Sequence, residues 1–129
     1  AINSIPTLRL IFRPQNEIRS LAKDILPFFR SYFNDHIEIE VVDCNSQVGS
    51  GSLPGKTLPS SGIRIEIMSN EPTGLKLNQL VKVFRSLPMP IIGRVHNDAL
   101  IFDCRCLEDK NILIKQLEFL PKPLWKNTL

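Results

Sequence analysis

The chain has 129 residues, 43% of them hydrophobic and 22% charged, which suits one globular domain and excludes disorder along the whole chain. No apolar run approaches the roughly 18 residues of a spanning helix, and the N-terminus lacks a secretory signal, so we expect a cytoplasmic protein without a membrane partner. The net charge of +3 comes from scattered lysines and arginines, and it supports nucleic-acid binding only weakly.

The first third of the chain predicts a connecting segment followed by an amphipathic helix. Residues 1–13 are apolar with arginines, and the start at Ala1 rather than at Met suggests an excised domain. Pro14 suits the first turn of a helix, because its missing N–H costs nothing there. The apolar residues that follow recur at helical intervals of three and four: Ile18, Leu21, Ala22, Ile25, Phe29, Tyr32 and Phe33. Pro27 interrupts this pattern, so we expect a kink or two short helices.

Two alternating segments predict strands on either side of a long loop. Residues 37–42 alternate between apolar and mostly acidic positions, and residues 62–68 repeat the alternation. Residues 44–61 between them are rich in Gly, Ser and Pro, which predicts one continuous loop. A loop of this length in a small domain is either functional or a passive crossover.

A helix and a hairpin are predicted next. Residues 75–87 return to the helical period, and residues 91–105 read as two strands around a tight turn. If the turn consists of Asn97-Asp98 alone, Arg94 lies opposite Ile101 in the hairpin.

The end of the chain predicts one further helix. Glu108 and Asp109 lie where negative charge favours a helix start, and the apolar spacing after them continues to Leu120. The order of elements then predicts an α+β domain of two layers, with helices packed on one face of a mostly antiparallel sheet.

The residues offer little chemistry of their own. The sequence has no phosphate-binding loop of the P-loop type and no Ser–His–Asp arrangement at an informative spacing. Its cysteines, Cys44, Cys104 and Cys106, form no metal-binding pattern, so we expect partly buried thiols in a reducing compartment, with Cys104 and Cys106 in the core. We therefore predict no metal site and no catalytic residue in this chain.

Arg94 carries the strongest binding signal in the sequence. An arginine in the middle of an apolar strand must reach water, a carboxylate or an anionic ligand, because burial without a partner is costly. Its planar fork suits bidentate binding of a carboxylate or a phosphate. The alternative is a structural salt bridge to Asp103 on the same face of the sheet.

Two segments carry a resemblance to a known family. Residues 46–60, SQVGSGSLPGKTLPS, resemble a Gly-Ser-Gly-Ser-Leu-Pro loop, and residues 87–109, LPMPIIGRVHNDALIFDCRCLED, resemble a C-terminal segment with an Asp-x-Arg strand. Both motifs, in this order and at this separation, occur in bacterial selenocysteine synthases (L-seryl-tRNA(Sec) selenium transferases), which are fold-type-I pyridoxal phosphate enzymes. The resemblance runs from about Ile5 to the helix near Leu120.

The resemblance implies a division of the chain and an activity for the intact enzyme. Residues 1–13 would be a linker from an absent pyridoxal-phosphate domain, residues 14–120 the small C-terminal domain, and residues 121–129 a tail. The intact homo-oligomeric enzyme would use pyridoxal phosphate to convert seryl-tRNA(Sec) to selenocysteinyl-tRNA(Sec), with selenophosphate as selenium donor. The family's Schiff-base lysine lies in the large domain, so we expect this chain alone to be inactive and to bind no cofactor.

The resemblance also implies candidate substrate-binding residues. Arg94 matches a small-domain arginine that binds the substrate carboxylate in related enzymes. The aminoacyl ester of seryl-tRNA has no free carboxylate, so Arg94 would instead orient the ester carbonyl, a tRNA phosphate or selenophosphate. The other candidates are four loop residues whose alternative role is packing between domains: Gly49, Ser50, Gly51 and Ser52. Asp103 and Arg105 match the Asp-x-Arg strand, and we expect a structural ion pair or a bridge to the large domain.

Two other functions compete with this one. The chain could be the small domain of a related pyridoxal-phosphate lyase, or a stand-alone α+β module that binds RNA or another ligand through its sheet. Sheets that recognise RNA expose aromatic side chains, whereas Phe102 is the only aromatic residue in a predicted strand. We expect no DNA partner.

Overall fold

Two pairs of consecutive strands lie between helices in the computed structural model, which describes residues 8–33, 37–47, 57–67, 77–88, 91 and 93–120. The elements are α1 (Leu8–Ile11), α2 (Gln15–Ser31), β1 (Ile37–Gln47), β2 (Thr57–Ile67), α3 (Leu77–Arg85), β3 (Arg94–His96), β4 (Ala99–Asp103) and α4 (Lys110–Gln116), with a 3₁₀ turn at Leu117–Phe119.

The four strands form one sheet in the order β1-β2-β4-β3, and each neighbouring pair is antiparallel. Helix α2 packs across β1 and β2, and α3 lies against β4. The core between the layers includes an aromatic cluster, in which the Phe29 ring lies 6.1 Å from Phe84 and 6.5 Å from Phe102. The predicted two-layer α+β architecture is therefore confirmed.

Helix α2 begins directly after Pro14 and contains Pro27. Its apolar stripe, with Ile18, Ile25 and Phe29, is fully buried against the sheet, while Pro27 is exposed. Proline lacks the N–H that would bond one turn back, yet packing of the buried face keeps the helix continuous to Ser31. The alternative of two short helices is wrong.

The predicted loop over residues 44–61 is largely a hairpin. Strand β1 continues to Gln47 and β2 begins at Thr57, with Ser46 opposite Leu58. Pro59 is tolerated because this part of β2 pairs with β1 alone, and β4 joins the sheet only from Gly62. The prediction of one long loop is wrong for residues 44–47 and 57–61, and residues 48–56 lie outside the described residues.

The β3–β4 hairpin has the predicted register, with Arg94 opposite Ile101. Its two turn residues, Asn97 and Asp98, have φ angles of 51° and 61°. Positive φ at both positions is typical of a type I′ turn, and Asn and Asp tolerate it better than other residues with side chains.

Helix α4 starts as predicted, because the Asp109 side chain accepts a hydrogen bond of 2.9 Å from the Asn111 backbone N–H. Leu113 and Leu117 are buried on its inner side. None of the helices among the described residues is long and apolar enough to cross a membrane.

Candidate functional site

Arg94 lies at the start of the edge strand β3, and its side chain is exposed. Its Nη2 donates a hydrogen bond of 2.7 Å to the backbone oxygen of Asn45. The ion pairs among the described residues do not include Arg94, so the alternative salt bridge to Asp103 is wrong. A guanidinium group has five N–H donors, and this contact with a described residue uses one of them.

The contact between Arg94 and Asn45 shows that the sheet is curved, because the two residues belong to strands at opposite edges. Strand β3 is at one edge and β1 at the other, yet the two residues touch. The β1–β2 pair extends beyond the end of β4, and this extension, residues 43–47 and 57–61, is called the distal hairpin below. The distal hairpin must curl towards β4 for Asn45 to meet Arg94.

Asp103, the last residue of β4, holds the curled end of the hairpin. Its Oδ2 accepts a hydrogen bond from the Ser46 hydroxyl, and its Oδ1 accepts one of 2.6 Å from the Ser60 hydroxyl. Its Oδ1 also accepts a bond of 3.0 Å from the Arg105 backbone N–H. Both serines are buried, so one carboxylate satisfies a hydroxyl from each strand of the hairpin.

Arg105 is 4% exposed and is satisfied without a carboxylate. Its Nε donates a hydrogen bond of 3.1 Å to the Ser46 hydroxyl. Its Nη1 donates hydrogen bonds to the backbone oxygens of Ile11, at 2.7 Å, and Arg13, at 2.9 Å. The described ion pairs do not join Arg105 to Asp103; the Ser46 hydroxyl lies between their side chains. The expected ion pair is wrong, because the carbonyls at the end of α1 take its place as acceptors.

The opposite face of the distal hairpin is tied to α2. Arg19 donates two hydrogen bonds to the Asp43 carboxylate, of 3.0 and 2.9 Å, and the Ser61 hydroxyl donates a third of 2.6 Å. The hydrogen bond from Arg19, and then that from Ser61, lowers the pKa of Asp43 below its ordinary value.

The cysteines near this region are protonated at neutral pH. Burial, and then the Asp103 carboxylate, raises the pKa of Cys44 to about 11 and that of Cys104 to about 12. Cys104 lies in the core as expected, but Cys106 is exposed, which corrects its prediction. No group of three His, Cys, Asp or Glu in the described part of the chain can hold a metal ion.

The lysines among the described residues do not fit a Schiff base with pyridoxal phosphate. Such a lysine needs an amine that is free and shielded from water. Lys23, Lys82 and Lys115 are exposed, and Lys110 forms an ion pair of 3.0 Å with Asp24. Lys56 and Lys76 lie outside the described residues.

The remaining candidates for substrate binding are the four residues of the Gly-Ser-Gly-Ser loop. Gly49, Ser50, Gly51 and Ser52 lie outside the described residues, and their role stays a prediction. The structure brings Arg94 to the strand that leads into this segment, through Asn45. Sequence reasoning missed Ser46 and Ser60 as partners of Asp103, although the match of the Asp-x-Arg strand had pointed to Asp103 and Arg105.

Comparisons with known proteins identify relatives of this chain. The model of the L-seryl-tRNA selenium transferase family matches residues 1–108. An L-seryl-tRNA(Sec) selenium transferase of Proteus mirabilis is 44% identical over 116 residues, covering 90% of this chain and 25% of that protein. Proteins of the same name from Klebsiella pneumoniae strain 342 and Rhizobium meliloti are 41% and 40% identical, and each alignment covers 88% of this chain and 24% of the relative. The chain thus spans about a quarter of the length of the curated relatives it matches.

Proposed function

The chain belongs to the L-seryl-tRNA selenium transferase family, and on that premise we propose that it is the small C-terminal domain of an enzyme that converts seryl-tRNA(Sec) to selenocysteinyl-tRNA(Sec). In this proposal residues 1–13 are the linker, residues 14–120 the domain and residues 121–129 a tail. Selenophosphate supplies selenium, and the enzyme is a homo-oligomer. Pyridoxal phosphate is held by the large domain, so this chain alone neither binds it nor turns over substrate.

The exposed guanidinium group of Arg94 is the observation that carries the proposed role of this domain. It is exposed at a sheet edge, and within the described part of the chain its hydrogen-bond partner is one backbone oxygen, that of Asn45. Both proposed substrates carry phosphate groups, and an arginine fork binds phosphate oxygens in pairs. Arg94 would bind and orient such a group, or the ester carbonyl of seryl-tRNA, at the entrance to the large domain.

The surroundings of Arg94 favour binding over catalysis. Asp103 already accepts three hydrogen bonds, two from serines of the distal hairpin and one from the Arg105 backbone N–H, so its carboxylate has a structural role in the hairpin. The thiol of Cys44 has a pKa of about 11 and is a poor nucleophile at neutral pH. The domain therefore supplies a cation and a rigid frame, and the large domain supplies the reacting groups.

The sheet does not favour the alternative of an RNA-binding module. Phe102, the one Phe, Tyr or Trp residue in the described strands, packs on Phe29 with ring centres 6.5 Å apart. A stacking platform for bases needs aromatic rings on the open face of the sheet.

The proposal is tested by replacing Arg94 in the intact enzyme that contains this chain. Arg94→Ala should lower kcat/KM for selenocysteinyl-tRNA(Sec) formation by about tenfold or more, while the melting temperature changes little. Arg94→Lys keeps the charge but loses the fork, so it should recover only part of the activity. Arg85→Ala, which removes an exposed arginine at the end of α3, is the matched control and should behave as wild type.

Two results would contradict the proposal. Normal activity of Arg94→Ala with a reduced melting temperature would mean that Arg94 only holds the distal hairpin. Turnover of free small amino acids, with none of seryl-tRNA(Sec), would identify a related pyridoxal-phosphate lyase instead.

A further inference from the structure

We infer that Ser46, Asp103 and Arg105 are positioning residues that set where Arg94 presents its guanidinium group. The inference rests on the proposed substrate-binding role of Arg94. It follows a series of contacts that runs from the end of α1 through the buried residues Arg105 and Ser46 to Asn45 and the edge strand β3.

The series ends at the anchor of Arg94, the backbone oxygen of Asn45. Asn45 lies in the distal hairpin opposite Pro59. Proline has no N–H, so the residue opposite cannot donate to this oxygen, and the Arg94 Nη2 bonds to it at 2.7 Å. The position of the Arg94 side chain therefore depends on where the hairpin holds Asn45.

Ser46, the next residue, fixes that part of the hairpin. Its hydroxyl donates to the Asp103 carboxylate and accepts from the Arg105 Nε at 3.1 Å. Because the hydroxyl donates to an anion and accepts from a cation at the same time, one rotamer of the Ser46 side chain is favoured over the others. The side chain is 3% exposed, so water does not compete for either bond.

Arg105 connects Ser46 to the segment that enters the domain. Its Nη1 bonds to the backbone oxygens of Ile11 and Arg13, and its Nη2 bonds to that of Pro59. Arg13 in turn donates a hydrogen bond of 3.3 Å from its Nη1 to the backbone oxygen of Arg105. In the proposed enzyme this segment is the linker, so the cluster ties the presentation of Arg94 to the path of the linker.

A side chain of a different shape could not make these contacts. The guanidinium of Arg105 reaches the serine on one side and the carbonyls of α1 on the other through a planar fork. Lysine would keep the charge but provide one compact ammonium group. A role limited to charge would survive Arg105→Lys, whereas a positioning role would not.

The test is a double-mutant cycle in the intact enzyme, with kcat, KM and melting temperature measured for each variant. Ser46→Ala removes one hydroxyl and should raise KM for seryl-tRNA(Sec) or for selenophosphate by about fivefold, with kcat changing less. Added to Arg94→Ala, it should have no further effect on KM, because the group that it positions is absent. Arg105→Lys should raise KM to the same extent as Ser46→Ala, and it replaces Ser46→Ala in the cycle if that variant is unstable.

The control is Arg19→Gln, which breaks the two bonds to Asp43 on the other face of the same hairpin. It should leave KM unchanged, and an equal rise in KM would overturn the inference in favour of general loosening. Additive effects of Ser46→Ala and Arg94→Ala would also overturn it while leaving the proposed function intact. Normal kinetics of Arg94→Ala would overturn both the site and the inference.

Discussion

Gly62 lies where β2 passes the end of β4, opposite Asp103, and the structure has no space there for a side chain. A Cβ atom at this position would lie 2.0 Å from the Phe102 carbonyl oxygen and 2.8 Å from its carbonyl carbon. Unstrained contacts between heavy atoms are about 3.5 Å, so the backbone of β4 would have to retreat by about 1.5 Å. Gly62→Ala should therefore cost about 3 kcal/mol, the upper end of what overpacking costs.

Equilibrium unfolding of the chain in urea measures this loss, and Gly93→Ala is the matched control. A Cβ at Gly93 would meet the Ile101 oxygen and the Leu100 Cδ1 at 2.7 Å each. The Leu100 side chain can rotate, and the Ile101 oxygen lies farther from this Cβ than the Phe102 oxygen lies from a Cβ at Gly62, so we expect a loss of about 1 kcal/mol. A loss for Gly62→Ala below about 0.5 kcal/mol, or one no larger than that for Gly93→Ala, would refute the packing argument.

The other predictions concern titration and reactivity. The hydrogen bonds from Arg19 lower the pKa of Asp43. The stability that Asp43 contributes is therefore present above its ordinary pKa of about 4 and is lost as the pH falls through the lowered value. Asp43→Asn should thus reduce the loss of stability at acid pH, as measured by unfolding in urea. At about pH 8 a thiol reagent should modify Cys106 first, because it is the most exposed of the three cysteines, but more slowly than a free thiol, because partial burial and then the Asp103 carboxylate raise its pKa. Cys104, with a pKa of about 12, should react only after unfolding, and its early modification would contradict the described core.

The elements that depend on local patterns could be predicted from the sequence. The register of the β3–β4 hairpin follows from Asn97-Asp98, because these two residue types accept the positive φ that a two-residue turn requires. The start of α4 at Asp109 follows from the same kind of local preference.

The distal hairpin could not be predicted, because its stability comes from residues far apart in the chain. Gly, Ser and Pro favour turns and loops when only neighbours are considered. Here Ser46 and Ser60 donate to Asp103, which lies 57 and 43 residues away along the chain. Those bonds satisfy hydroxyl groups that would otherwise be buried without partners. Burial of serine hydroxyls is visible only once the strand order is known.

The sequence singled out Arg94, whose role in binding stays a prediction, but it did not indicate the surroundings of this side chain. The expectation was an arginine in the middle of an apolar strand, whereas Arg94 is the first residue of the short edge strand β3, and all three residues of β3 are exposed. The contact with Asn45 was not predictable, because it requires the curl of a hairpin that the sequence pattern described as a loop.

The arrangement of Asp103 and Arg105 explains why a direct ion pair would serve this domain poorly. A buried pair would satisfy the two charges and leave the serine hydroxyls of the hairpin and the carbonyls at the end of α1 without partners. Because Ser46 lies between them, the Asp103 carboxylate accepts hydrogen bonds from both strands of the distal hairpin. The Arg105 guanidinium donates to backbone oxygens at and just after the end of α1. The two charges still interact through one hydroxyl group, so the hairpin, β4 and the end of α1 are held as one unit beneath Arg94.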